Sequence, residues 1–244
     1  MSYSAYELLA LLIVTSGVIL QTWVGIGFGL LAAPLLYLID PAYIPAPILI
    51  LGFFLSFLLV LNSQNKVSWR RVLPAIIARF PGSLCGAMLL VAVPAYMLSL
   101  LFGSMLLVAV GVSLRTCKVT ITPVNLCIGG FFSGLVGTVT SVGGPPIALV
   151  YQEENRITAR NELAVFFLIG TPISIFFLAV QGSVALSDVM LSLKMLPGVF
   201  IGFGCAHVWD SRINTSSAKS ALLVISSASA LVVLYKGVCG WLAV

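Results

Sequence analysis

Most charged residues in this chain lie in short breaks between long apolar stretches, and most of those stretches have one length. A helix rises 1.5 Å per residue, so about 20 apolar residues cross a hydrocarbon core of roughly 30 Å. Runs of that size lie at 42–61, 72–92, 96–114, 163–181, 188–207 and 217–235. Two charge-free runs exceed this ruler, 32 residues at 8–39 and 34 at 119–152, each about 50 Å long as a single helix. Both hold glycines clustered ahead of proline: Gly25-Ile-Gly27-Phe-Gly29-Leu-Leu-Ala-Ala-Pro34, and Gly134-Leu-Val-Gly137-Thr-Val-Thr-Ser141-Val-Gly143-Gly144-Pro145-Pro146. Glycine and proline at that density interrupt helices. Each run is therefore expected to form two helical arms joined at a bend, with second arms at 25–39 and 137–150. Arms of 15 and 14 residues fit a re-entrant hairpin as well as two thin crossings.

A hairpin returns the chain to the side it left. Each half then contains one hairpin and three crossings, an odd total, so the two halves should have opposite orientations. The cations test this separately. Lys66, Arg70 and Arg71 lie in 62–71, Arg115 and Lys118 in 115–118, Arg156 and Arg160 in 152–162, and Arg212 and Lys219 in 209–219. The alternate loops 93–95 and 182–187 carry none, nor does the N-terminus. Hairpins at both glycine clusters put every cationic loop on one side, which the positive-inside rule makes cytoplasmic, with both termini outside. Single crossings would move the last two loops across.

The halves also repeat. A shift of 112 places Gly25 on Gly137 and Pro34 on Pro146, and a shift of 116 places Pro81-Gly82-Ser-Leu-Cys-Gly86 on Pro197-Gly198-Val-Phe-Ile-Gly202. A four-residue insertion would reconcile the two shifts. The expected fold is all-α: a single polytopic membrane domain of two inverted repeats, 1–116 and 117–244, each with a glycine-broken or re-entrant helical hairpin plus three transmembrane helices. Duplicated halves of opposite orientation are common in secondary transporters, whose sites lie near the midplane at interrupted helices.

Composition removes the other classes. The chain is 60% hydrophobic and 8% charged, with a mean hydropathy of +1.16, where soluble domains carry about a quarter charged residues. Soluble enzymes, nucleic-acid binders and disordered proteins are excluded, and the partners expected are a lipid bilayer and a small solute. The net charge of +5 belongs to the cytoplasmic loops, not to a nucleic-acid surface. Cys85, Cys117, Cys127, Cys205 and Cys239 form no C-x-x-C pair and read as packing residues. The first cation is Lys66, so no signal-peptide n-region precedes the first apolar stretch, which is expected to stay in the mature protein. No phosphate-binding G-x-x-x-x-G-K-[ST] loop or H-E-x-x-H zinc helix occurs, and no cofactor or metal is expected. An intramembrane hydrolase would need His207 with a serine such as Ser133, but Ser133 follows Phe131 and Phe132, not the glycine of a nucleophile elbow. A scaffold would not need paired broken hairpins.

With G-x-G-x-G-L-L-A-A-P in the first half, S-G-L-x-G-x-x-x-x-x-G-G-P-P in the second and P-G-x-x-x-G after each, the chain resembles the sulfite exporter TauE/SafE family over nearly its whole length. The resemblance implies a plasma-membrane carrier, such as one of the bacterial inner membrane, for sulfite, thiosulfate or an organosulfonate such as sulfoacetate. An anion channel of the same fold and an importer of a small organic anion are the alternatives. A homodimer would suit so small a carrier, although no motif requires one.

An anion at the membrane centre needs donors aimed at it, and a half-helix N-terminus supplies backbone N–H groups and a favourable dipole. The expected lining is Gly25, Gly27, Gly29, Gln21 and Thr22 from the first cluster, and Thr138, Thr140, Ser141, Gly143 and Gly144 from the second. Arg79 and Lys194, just ahead of Pro81 and Pro197, are candidate cations, since intramembrane cations commonly face polar cavities. Arg160 and Glu162 could pair locally, and no carboxylate is expected deep within a span. His207 reads as an ordinary hydrogen-bonded side chain. Trp69, Trp209 and Trp241 read as interfacial anchors, and Trp23 as packing against the bend. With the interior negative, each anionic charge moved outward gains about 2.3 kcal/mol per 100 mV, so membrane potential alone, or a linked proton, could drive export.

Overall fold

The computed structural model describes residues 4–25, 27–63, 67–114, 119–209 and 215–242. Lys66, Arg115, Cys117, Lys118, Asp210 and Arg212 lie outside the described residues, as do the side chains of Trp209, Lys219 and Trp241. The described chain is helical throughout: α1 (Ala5–Val24), α2 (Phe28–Ile39), α3 (Ala46–Leu61), α4 (Trp69–Ala92), α5 (Ala95–Leu114), α6 (Pro123–Thr140), α7 (Gly144–Val150), α8 (Arg156–Val180), α9 (Leu186–Trp209) and α10 (Thr215–Leu242). Seven of these helices are long and apolar enough to cross a membrane; the apolar α2 and α3 are shorter.

Both long charge-free runs are interrupted. At the first break Gly25 (φ +88) caps α1, with its N–H bonded to the Gln21 carbonyl, and Gly27 adopts φ +148. These are left-handed conformations in which a side chain would be strained. At the second break the cap is Ser141, the one described non-glycine residue with positive φ (+62), bonded to the Gly137 carbonyl. The second arm is therefore not 137–150. Helix α6 continues through Gly137 to Thr140, and α7 keeps only seven residues, 144–150. Gly137 instead gives room to Gly143, whose Cα would stand 3.0 Å from a Cβ at Gly137.

The new position of the break changes the spacing between the two breaks. Gly25 and Ser141, Phe28 and Gly144, and Pro81 and Pro197 are each 116 residues apart. One shift relates both breaks and both proline motifs, and no four-residue insertion is needed. Helix α8 also starts seven residues before the apolar run predicts. Asn155 caps it by accepting a hydrogen bond from Ile157 N (2.9 Å), which lets a polar first turn join the helix.

Lipid tails are as apolar as leucine, so helices in a bilayer associate through close packing of small residues. Along α4 and α6, Gly130 lies against Ala75, Gly134 against Arg79, and Gly86 against Leu135. Residue numbers rise together, so these two helices run parallel. Helices α1 and α9 do the same, with Gly198 against Leu11, Gly202 against Thr15, and Trp23 Nε1 donating to the Ala206 carbonyl (3.0 Å). Helices α5 and α10 run antiparallel, with Gly103 against Leu234 and Gly237 against Leu100. Both glycines of each P-G-x-x-x-G motif are thus contact points. The outward faces, with Leu12, Ile77, Val108, Phe176, Phe200 and Leu231 exposed, are apolar as lipid requires.

A Cβ at Gly82 would overlap the Phe131 carbonyl oxygen on α6, whereas one at Gly204 meets nothing within 4 Å. Gly82→Val should therefore destabilise the protein by about 1–3 kcal/mol, and Gly204→Ala should leave it unchanged or slightly more stable. Thermal unfolding of the two variants in detergent measures the contrast.

Candidate functional site

The two breaks meet inside the protein. A Cβ on Gly29, in the first turn of α2, would stand 2.5 Å from the Ser141 carbonyl oxygen, so only glycine allows this approach. Beside the junction is a cavity of about 50 Å³, several times the roughly 10–15 Å³ that one water needs. Gln21, Gly27, Gly29, Ser141, Gly143 and Gly144 line it, together with Arg79, Ser56 and Thr171. At the start of α2 the Phe28 N–H is taken by Gln21 Oε1 (3.0 Å). The next N–H groups, on Gly29 and Leu30, are donors that the helix itself does not use. Helix α7 offers less, because its second and third residues, Pro145 and Pro146, have no N–H.

Arg79 dominates the electrostatics of this cavity. It is 1% exposed and threads between α6 and α8, where Gly134 and Gly170 leave room for its stem; a Cβ at Gly170 would overlap Arg79 Cδ. Its guanidinium lies 5.0 Å and 5.3 Å from the ring centroids of Phe166 and Phe167, within range of a cation–π attraction. Nη1 donates to Ser133 Oγ (3.2 Å) and Nη2 to Ser174 Oγ (3.4 Å), which also bonds Ser83 Oγ (3.0 Å). Ser133 Oγ in turn donates to the Gly143 carbonyl (2.5 Å), tying the cation to the second break. Nε has no partner. The ion pairs among the described residues are Arg71–Glu154 and Lys194–Glu7, so no carboxylate there neutralises Arg79.

The other candidates lie apart from the cavity. Thr22 and Thr140 donate to carbonyls of their own helices, Val18 and Val136, and Thr140 Oγ1 also accepts from Val142 N (3.2 Å), bracing the break. Thr138 is buried beside Gly86 with no partner for its hydroxyl. Gly25 faces a second cavity. Lys194 bonds Glu7 Oε1 at 2.7 Å, between α9 and the start of α1. The 116-residue register accounts for this: the counterpart of Arg79 is Met195, fully buried in the apolar core, and Lys194 points about 100° away around the helix.

Arg160 and Glu162 do not pair with each other. Arg160 Nη1 donates to the Thr22 carbonyl (3.1 Å), and Glu162 Oε1 accepts from Ser68 N (3.2 Å). Because α8 starts early, Glu162 falls in the second turn of that helix, near its end rather than deep within it, and is buried (1% exposed). His207 is exposed and bonds Asn62 and the Phe203 carbonyl, while Ser133 is engaged with Arg79 and Gly143. Ser133, Ser174, Gly170 and Thr171 were not among the residues expected from sequence. On α8 Gly170, Thr171 and Ser174 trace a stripe of small residues, two of them polar, at helical period, a signal present in the chain.

Apolar spans, helices interrupted in the interior and a partly polar cavity at their junction define a multi-pass membrane protein. The chain matches the family model described as Sulfite exporter TauE/SafE over residues 9–233, nearly its whole length, and so belongs to that family of membrane transporters. No curated protein and no solved structure matches it.

Removing the Ser133 hydroxyl leaves the Gly143 carbonyl and one guanidinium nitrogen buried without a partner. Ser133→Ala should cost about 1–3 kcal/mol, read as a lowered unfolding temperature. Ser227→Ala removes only a bond to the carbonyl four residues back, at Leu223, and should change little.

Proposed function

We propose that this protein exports a small sulfur-containing anion, namely sulfite, thiosulfate or an organosulfonate such as sulfoacetate, across the plasma membrane, driven by the membrane potential or linked to protons. The observation that carries the reading is Arg79, a buried cation with no carboxylate partner among the described residues, at the cavity where two broken helices meet. An isolated buried charge costs several kcal/mol, and an oxyanion in the cavity would offset that cost. Arginine can hold two oxygens of such an ion at once, and the first-turn N–H groups of α2 add neutral donors. A cavity of about 50 Å³ favours an ion the size of sulfite over a bulky organic acid.

The mechanism assigned to the fold is alternating access between two inverted halves, 1–116 and 117–244. Support comes from α5 and α10, which occupy matching places in the 116-residue repeat and pack antiparallel; halves of the same orientation would bring such counterparts in parallel. The cationic side, with Arg70, Arg71, Arg156 and Arg160, is assigned to the cytoplasm. No nucleotide is needed, since outward movement of each anionic charge gains about 2.3 kcal/mol per 100 mV.

The test is sulfite flux in proteoliposomes of purified protein under an imposed potential. Saturable flux that follows the sign of the potential supports electrogenic carriage; flux that ignores the potential removes the electrogenic version, and non-saturating flux identifies a channel. Arg79→Gln should lower sulfite affinity roughly tenfold or more, as the loss of a charged hydrogen bond worth ~1.5–3 kcal/mol implies. Normal transport by that variant overturns the site.

A further inference from the structure

Two arginines take no part in the central cavity. Arg156 and Arg160 are four residues apart in the first turns of α8 and so share a face. Both reach across to the last turn of α1, where Arg156 Nη2 donates to the Trp23 carbonyl and Arg160 Nη1 to the Thr22 carbonyl (3.1 Å). The Arg160 stem also packs against Gly25, the cap of the first break, 3.6 Å from where a Cβ would stand. The two side chains therefore pin the first broken helix by its C-terminal carbonyls, which carry the negative end of the helix dipole. The pinning is lopsided between the halves. At the second break the tie is neutral and runs the other way, with Ser141 Oγ donating outward to the Pro45 carbonyl (2.9 Å).

These arginines also face a cavity of about 210 Å³, lined with Gly25, Ser113, Tyr151 and Glu154 as well as the two cations. Glu154 is already engaged by Arg71. No carboxylate among the described ion pairs holds Arg156 or Arg160. Each guanidinium has five N–H donors, more than the carbonyl bonds use. This cavity and the central one lie at opposite ends of α7: Gly144 and Pro145 line the central one, while Ala148, Leu149 and Tyr151 line the outer one. Seven helical residues put them about 10 Å apart.

We propose that Arg156 and Arg160 form a second, outer site for the transported oxyanion, where it loads from the cationic side and competes with the Thr22 and Trp23 carbonyls, releasing the first break. A charged oxyanion is the stronger acceptor, since charge-assisted hydrogen bonds are roughly twice as strong as neutral ones. Loading and unlocking are then one event, and an empty outer site leaves the broken helix pinned. The proposal rests on the anion-transport reading above but makes a separate demand on separate residues.

Equilibrium binding of radiolabelled sulfite to purified protein tests it. Wild type should bind at two sites. Arg79→Gln should retain the outer one, and the double variant Arg156→Gln with Arg160→Gln should weaken the outer one at least tenfold. Arg156→Lys with Arg160→Lys, which keeps both charges, should restore part of that affinity. A Gln pair that binds sulfite with wild-type stoichiometry and affinity overturns the outer site while leaving the transport reading intact; wild type that binds no sulfite removes both. Amide hydrogen exchange gives a readout independent of how the double variant folds. Sulfite should speed exchange around residues 22–31 in wild type and in Arg79→Gln, and unchanged exchange in both refutes the release.

Discussion

A guanidinium buried in a membrane protein is costly to hold, and here it is held without a carboxylate from the described residues. Its surroundings reduce the cost without cancelling the charge. Two serine hydroxyls accept from it, two phenylalanine rings face it, and Gly134 and Gly170 open the slot its stem passes through. An internal Asp or Glu would cancel the charge outright; the groups present here do not. The same serine that holds Arg79 also holds the carbonyl of Gly143, so the cation and the second helix break form one unit. Displacing either should disturb the other.

That arrangement requires helices that approach more closely than ordinary side chains permit. In lipid there is no hydrophobic drive between helices, and contact area between backbones replaces it. Glycines at 82, 86, 130 and 134 bring α4 onto α6, and glycines at 198 and 202 bring α9 onto α1. The two proline-glycine helices thus pack on the two helices that lead into the breaks, α6 and α1, so the seams and the junction of the breaks are one connected piece of packing.

Much of this was legible in the chain because it depends on composition and spacing. Charge-free runs too long for one crossing required interruptions, and both occur. Arg79 stood out as a lone charge in an apolar span. The exact place of the second break was not legible, because Gly137, Gly143 and Gly144 offer several bends and the one used is capped by Ser141, a residue that seldom adopts positive φ. Lys194 lies apart from Arg79 for a related reason: it stands three residues ahead of its proline where Arg79 stands two, and on a helix one residue is more than a quarter turn. The serines and glycines of α8 were visible as a stripe, but small residues in membrane helices usually serve packing alone, so only the course of the Arg79 side chain gives them meaning.

The brevity of α7 has a mechanical consequence. A seven-residue helix is too short to be stable by itself in isolation, and Pro145 and Pro146 remove two of its N–H groups. Its shape is borrowed from α6, where Ile147 and Val150 rest on Gly129 and Ser133 holds the Gly143 carbonyl at its entry. A tilt of α6 would therefore carry α7 along as a passenger.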